Sequence, residues 1–118
     1  MQDKISLLAA FERFSEHWAP RIVASYNGDD IRIVKVEGEF VWHTHDDTDD
    51  FFLVLDGTLD IELRDRTVTL EPGELFVVPR GVEHRPVARH GEVKMLNIEP
   101  GGTHNVGEGS PQHAPVQA

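Results

Sequence analysis

Three turn dipeptides, Asn27-Gly28, Asp56-Gly57 and Pro72-Gly73, cut residues 21–100 into short runs with strand-like patterning. Asn-Gly suits a tight hairpin because both central residues must tolerate positive φ. Asp56-Gly57 gives the same signal between residues 51–55 and the run that starts at Thr58. Pro72-Gly73 fits the two central positions of a type II turn. Leu59, Ile61 and Leu63 alternate with Asp60, Glu62 and Arg64, the period of a strand with one buried and one wet face. Residues 51–55 and 75–78 are apolar on both sides, so they need cover from a barrel interior and from outside it. About eight or nine such strands in one domain-sized chain predict an all-β sandwich or barrel. No internal repeat of useful strength is present.

The first twenty residues read differently. Leu7, Phe11, Phe14 and Trp18 recur at helical spacing with Leu8 beside them, which predicts a short helix over residues 4–17. Asp3 and Ser6 are both candidates to cap it, and Pro20 limits its extension. Its apolar stripe is expected to pack on the body of the protein. After Pro100 the chain reads GGTHNVGEGSPQHAPVQA, too poor in apolar residues to pack alone. The expected organisation is therefore a helical segment over 1–20, a barrel over 21–100 and a flexible tail over 101–118. His104 and His113 fall in that tail and are expected to be solvated.

Composition removes several chemistries. With no cysteine, disulfides, thiolate metal sites and cysteine nucleophiles are all excluded, and so is a Cys–Tyr cross-link at Tyr26, the single tyrosine. The opening MQDKISLLAAFERF lacks a basic stretch followed by an unbroken apolar one, so no secretory signal is expected. No apolar run approaches the roughly 18 residues of a membrane span. These readings place the protein in the cytoplasm. A formal net charge of -10, from 21 acidic and 11 basic side chains, repels nucleic acid and anionic lipid, so neither is an expected partner. Asp46, Asp47, Asp49 and Asp50 lie together and favour a nearby cation.

Beside those aspartates stands His43-Thr44-His45. Residues i and i+2 of a strand share a face, so the two imidazoles point one way, from Cα atoms roughly 6.6 Å apart. Both can then converge on one ion. Phe40, Trp42 and Thr44 would face the other way, leaving an aromatic pair on the outside. Farther on, Pro79 and Gly81 turn the chain and His84 opens the next strand. A third inward imidazole completes a facial metal site.

The two stretches resemble the paired motifs of the cupin superfamily. The first of those motifs runs Gly, five residues, His-x-His, three or four residues, Glu, six residues, Gly. The second runs Gly, five residues, Pro-x-Gly, two residues, His, three residues, Asn. Gly73, Pro79, Gly81 and His84 match the second in identity and spacing, and His43, His45 and Gly57 match the first. The motifs span residues 38–88 with a 15-residue bridge, as in small single-domain bacterial cupins of the YdbB-like type, a group often labelled mannose-6-phosphate-isomerase-like. Three positions depart from the pattern. Gly38 precedes His43 by four intervening residues, Ala88 replaces the terminal Asn, and Asp50 stands where the Glu ligand belongs. Asp is shorter by one methylene, about 1.3 to 1.5 Å. Either the strand shifts inward, a water bridges, or the carboxylate does not ligate. Asp47 and Asp49 are alternatives, but the spacing to Gly57 favours Asp50.

The resemblance implies a double-stranded β-helix, a jelly-roll-like barrel. It also implies one divalent transition metal (Fe, Mn, Zn or Ni) held by His43, His45, His84 and Asp50. The function expected from such a site is a metal-dependent enzyme acting on a small molecule, with Asp50 as ligand or catalytic base. Dioxygenase chemistry needs a redox metal, whereas isomerase or lyase chemistry needs only a polarised carbonyl. The alternatives are a non-catalytic ligand-binding or sensing cupin and a degenerate cupin without metal. Phe52 and Val54 share the inward side of Asp50 and are expected to be core first and pocket lining second. Glu83 and Arg85 flank His84 on the opposite face, and His17 and His90 are expected to be exposed. The apolar Phe40, Trp42, Phe51, Leu53 and Leu55 on outer faces predict a homodimer.

Overall fold

A computed structural model of the chain describes residues 3–101 and the backbone of residues 116–117. Asn27 and Gly28 take φ of 52° and 82°, and this doubly left-handed turn folds β1 (Arg21–Tyr26) onto β2 (Asp29–Glu39) with Tyr26 opposite Asp29. The hairpin expected there is present.

The organising strand is β7 (His84–Pro100). Its second half pairs antiparallel with β2 from Asp29↔Pro100 to Val36↔Val93, and on its other side with β3 (Asp50–Asp56) through Leu53↔Leu96. Its first half pairs with β4 (Leu59–Leu63), placing Leu63 opposite His84. The register of β2 jumps from Val36↔Val93 to Gly38↔Ala88, so residues 89–92 bulge out and the sheet bends. Gly38, at φ 76°, supplies the left-handed residue on the other strand. β5 (Thr67–Leu70) completes one side against β4, and β6 (Leu75–Val78) completes the other against β3. The result is the all-β, double-stranded β-helix barrel that the motifs imply.

The Asp56-Gly57 turn is not the expected hairpin. β3 and β4 do not pair with each other; each pairs with β7. Gly57, at φ 86°, instead carries the chain from one side of the barrel to the other, so close to β7 that a Cβ would sit 2.7 Å from the Glu92 carbonyl oxygen. The dipeptide specified the backbone conformation, but the partner was chosen by burial against β7. Pro72-Gly73 does form its type II geometry, with Gly73 at φ 87° and the Glu74 N–H donating to the Glu71 carbonyl at 2.9 Å.

Two apolar clusters hold the fold. The barrel interior buries Val34, Val36, Phe52, Val54, Leu59 and Ile61 against Val93 and Met95. Leu59 and Ile61 are buried as expected of β4, but the opposite face is not wholly wet: Asp60 is buried under Arg89, and Glu62, bonded by Arg85 and Arg89, is half-buried. The second cluster lies outside the sheet, where Ala10 and Phe11 pack on Val23 and Ile33. Ala10 and Phe11 belong to α1 (Leu7–Phe11), far shorter than the predicted helix over 4–17. Ser6 is its cap, its hydroxyl accepting the Ala9 N–H at 3.2 Å, and the helix stops at Glu12. Lys35 ends the helical course: its Nζ donates to the Phe14 carbonyl at 2.6 Å and its own carbonyl accepts the Trp18 N–H at 2.9 Å. Phe14 and Trp18 thus keep helical spacing in the sequence but serve different clusters, Phe14 beneath α1 and Trp18 against the barrel interior.

Val116–Gln117 forms β8, parallel to Arg21 and Ile22 of β1. Gly101 donates its N–H to the Gly28 carbonyl at 3.2 Å, and the rest of the tail expected over 101–118, with His104 and His113, lies outside the described residues. No helix among the described residues is long and apolar enough to cross a membrane.

Candidate metal centre

His84, the first residue of β7, exchanges both backbone hydrogen bonds with His43, each at 3.0 Å. This single bridge is all the strand structure around the His-x-His pair, so the continuous strand expected through His43 and His45 is absent. His45 is held differently, its carbonyl accepting the Gly81 N–H at 2.7 Å. The Pro79-x-Gly81 turn therefore anchors one histidine and launches another. The rings still converge, with centroids 5.1 Å apart for His43–His45 and 4.4 Å for His43–His84.

Asp50, the first residue of β3, enters this group. Its Oδ2 lies 2.7 Å from Nε2 of His84, 3.4 Å from that of His45 and 3.7 Å from that of His43. All four donor atoms fall within 4.8 Å of one another. Around one ion with bonds of about 2.1 Å, neighbouring donors stand about 3 to 3.5 Å apart, so the preformed spacing suits a metal. The outward nitrogens support this. Nδ1 of His43 meets the Val41 carbonyl at 2.9 Å, and Nδ1 of His84 meets the Val82 carbonyl at 2.9 Å. A carbonyl only accepts, so each Nδ1 carries a proton of its own, and Nε2 is the nitrogen aimed at the cluster. The donor set therefore fits a divalent cation.

Burial pushes the Asp50 carboxyl up, but hydrogen bonding from His43, His45 and His84 outweighs it and holds the group well below the usual carboxylate range. The other aspartates stay outside. Asp49 accepts the Arg80 N–H at 3.0 Å, and Asp46 and Asp47 are exposed. The missing methylene is thus made good by the entry point of β3, not by a neighbouring residue.

Behind Asp50 lies a buried polar cluster that the motifs do not mark: Arg32, Asn97 and Glu99. Arg32 Nε donates to Asn97 Oδ1 at 3.0 Å, and its Nη2 stands 3.4 Å from Glu99. Neither Glu99 oxygen has a hydrogen-bond donor. Burial foremost, then the charge of Asp50, push the Glu99 carboxyl up to about 8 against the pull of Arg32. The signal for these residues was the alternation of Met95, Asn97 and Glu99 with Leu96 and Ile98, which sets two polar groups on an inward face.

The remaining assignments divide. Phe52 lies edge-on to His84 with centroids 5.9 Å apart and lines the pocket as expected, whereas Val54 lies in the barrel core. Phe40 does not face outward: it stacks on Trp18 and meets His43 edge-on, because the chain leaves β2 before this position. Trp42 does face outward, but Arg64 and Arg85 cover its ring at 3.7 and 5.4 Å. Glu83 pairs with Arg64, and Arg85 with Glu62. His90 is exposed, while His17 is half-buried and bonded to Glu92 at 2.8 Å.

A double-stranded β-helix whose interior gathers three imidazoles and a carboxylate defines a class of barrel proteins able to bind a metal ion. Residues 31–99 match the Cupin domain family, and the chain belongs to it. Among curated proteins it is 33% identical over 81 residues to the uncharacterized protein YdbB of Bacillus subtilis strain 168, covering 68% of this chain and 72% of that one. Among solved structures it is similar to a cupin-2 domain containing protein from Shewanella frigidimarina, with 50% identity, a TM-score of 0.79, and coverage of 81% of this chain and 93% of that one. A protein from Neisseria meningitidis is 29% identical with a TM-score of 0.75, covering 83% of this chain and 99% of that one.

Proposed function

We propose that this cupin holds one divalent transition metal through Nε2 of His43, His45 and His84 and a carboxylate oxygen of Asp50, and that it is an enzyme acting on a small molecule. The observation that carries this reading is Asp50 Oδ2 facing all three Nε2 atoms within 3.7 Å. A bound metal supplies Lewis-acid polarisation of a substrate oxygen or, if it is a redox metal such as iron, activation of dioxygen. The chain supplies the rest. The Val41 and Val82 carbonyls fix the ring orientations of His43 and His84. Asp50 stays ionised and lines the pocket, so it is placed to ligate a metal, while a carboxyl held so far below its usual range is a weak base toward a substrate proton. Phe52, Val34 and Met95 keep the inner wall apolar.

The test is metal content by mass spectrometry, on protein purified without added metal or chelator, alongside His84→Ala. About one transition metal per chain, absent from the variant, is expected for a site of this kind. Its identity then separates redox from Lewis-acid chemistry. No metal in either protein, even after reconstitution, would overturn the reading.

We also propose a homodimer formed through the outer face of β3 and β6. Phe51 and Leu53 are half-buried there, and Leu75 and Val77 are 55% and 39% exposed. Register places Leu53 beside Leu75 and Phe51 beside Val77, making one apolar face across the two strands. Such a face on a small chain favours a second copy.

A further inference from the structure

The pocket that reaches the proposed metal centre is lined on its solvent side by a residue from outside the family domain. Its inner wall, including His43, Asp50 and Asn97, is buried. The lining residues that still reach solvent are Trp18 and Phe40, both half-buried, so the route inward runs past them. Their rings stack with centroids 4.8 Å apart and planes 23° from parallel. Trp18 precedes β1 and lies ahead of residues 31–99, the part that matches the family.

Trp18 is held in place against its own preference. Its φ is 60°, a region that is costly for a bulky side chain. Such a conformation persists only where the surroundings over-determine it. Here the Trp18 N–H donates to the Lys35 carbonyl at 2.9 Å and its indole Nε1 to the Glu37 carbonyl at 3.1 Å. The first bond fixes the backbone and the second holds the indole at the solvent-reaching side of the pocket. The pocket it lines is small, ≈ 30 Å³.

One polar group on the inner wall is oriented from behind. Asn97 Oδ1 accepts from the buried Arg32 Nε at 3.0 Å, so the amide turns its N–H donors, not its oxygen, toward a molecule in the pocket. Val34, Phe52 and Met95 share the wall with His43 and Asp50, so a donor at Asn97, with the positive charge of a bound metal offsetting Asp50, suits the oxygen of a carboxylate or carbonyl compound.

Building on the proposed metal centre, we propose that Trp18 and Asn97 determine its ligand class. Trp18 admits small carboxylates of formate or acetate size and excludes larger ones, and Asn97 hydrogen-bonds the oxygen of the molecule admitted. Trp18 also packs on the barrel core, so the test must separate a gate from a filler.

The experiment uses the full chain loaded with cobalt(II), whose visible absorption reports changes at the metal, titrated with formate, acetate and benzoate. In the unaltered protein, formate and acetate shift the spectrum and benzoate does not at tenfold higher concentration. Trp18→Leu, which keeps apolar packing but removes most of the ring, raises benzoate affinity by about tenfold or more and leaves acetate within about threefold. Trp18→Phe, a milder change, falls between. Asn97→Leu weakens acetate by about tenfold with cobalt stoichiometry unchanged, the loss expected for one hydrogen bond. Benzoate binding equally well to the unaltered protein and to both Trp18 variants would overturn the gate. Acetate affinity unchanged in Asn97→Leu would overturn the donor. Failure of the unaltered protein to bind cobalt would overturn the metal centre itself and the inference with it, and the stoichiometry distinguishes that outcome from the other two.

Discussion

Oδ2 of Asp50 and Nε2 of His84 lie 2.7 Å apart, across the two strands that each begin with one of these residues. Asp50 pairs with Val78 at the end of β6, and His84 follows through the Pro79–Gly81 turn, so the backbone itself brings carboxylate and imidazole together. A shorter side chain suffices because the strand starts close to the histidines. Asp50→Asn should therefore weaken metal binding by about 100-fold or more, since it removes the only charged ligand of the set. Competition against a chromogenic chelator measures this, and an unchanged affinity would show that the carboxylate does not ligate.

In metal-free protein Glu99 makes stability depend on pH. Its folded-state pKa of about 8 lies above the ordinary 4.5, so the folded chain keeps a proton that the unfolded chain releases. Stability is then greatest below the ordinary value and falls as pH rises toward 8. Asp50 acts in the opposite sense but at lower pH, where its depressed pKa is lost on acidification. Glu99→Gln is neutral throughout, so its urea midpoint should change less between pH 5.5 and 8.5 than that of the unaltered chain. Equal changes in the two proteins would refute the assignment.

Gly57 and Gly73 share nearly the same φ, 86° and 87°, but differ in surroundings. A Cβ at Gly57 would press on the Glu92 carbonyl oxygen at 2.7 Å, whereas one at Gly73 would meet nothing within 4 Å. Gly73→Ala should cost about 1 kcal/mol, the left-handed conformation alone. Gly57→Ala should cost about 2 kcal/mol more than that, from the displaced backbone. Thermal unfolding checks the order, and equal melting temperatures would mean that the crossing relaxes without strain.

If β3 and β6 form the dimer face, sedimentation at micromolar protein should give twice the 13.3 kDa chain mass. A stable interface of this kind buries about 800 Å² per partner. Leu75→Glu, at an already exposed position, should return the protein to monomer with its fold intact. A mass near that of one chain for the unaltered protein would exclude the dimer.

The three histidines were legible because His43 and His45 are two residues apart and Pro79 and Gly81 mark the turn that holds His45 and precedes His84, and turn chemistry is local. Asp50 was legible as a candidate only, because its reach depends on where β3 begins relative to His84. Trp18 was misread as part of a helix stripe. Its spacing from Phe11 and Phe14 is helical, but Lys35, seventeen positions later, takes the backbone groups that a longer helix would use. Arg32, Asn97 and Glu99 gave only an alternation, with no motif to say that their inward face was polar by design.

By itself, then, the sequence determined what depends on neighbours along the chain. The Asn27-Gly28 and Pro72-Gly73 conformations, the two-residue period of β4, the cap at Ser6 and the shared direction of His43 and His45 all follow from neighbours within a few residues. The tertiary structure decided which strands meet. β7 pairs with β2, β3 and β4 because that arrangement buries Val93, Met95 and their partners on one side and leaves Leu96 for the cluster under α1 on the other. From that choice follow the closeness of Gly57 to β7, the convergence of Asp50 on the histidines and the stacking of Trp18 on Phe40. Each joins residues distant in sequence, and burial of apolar surface, which carries no address along the chain, is what brings them together.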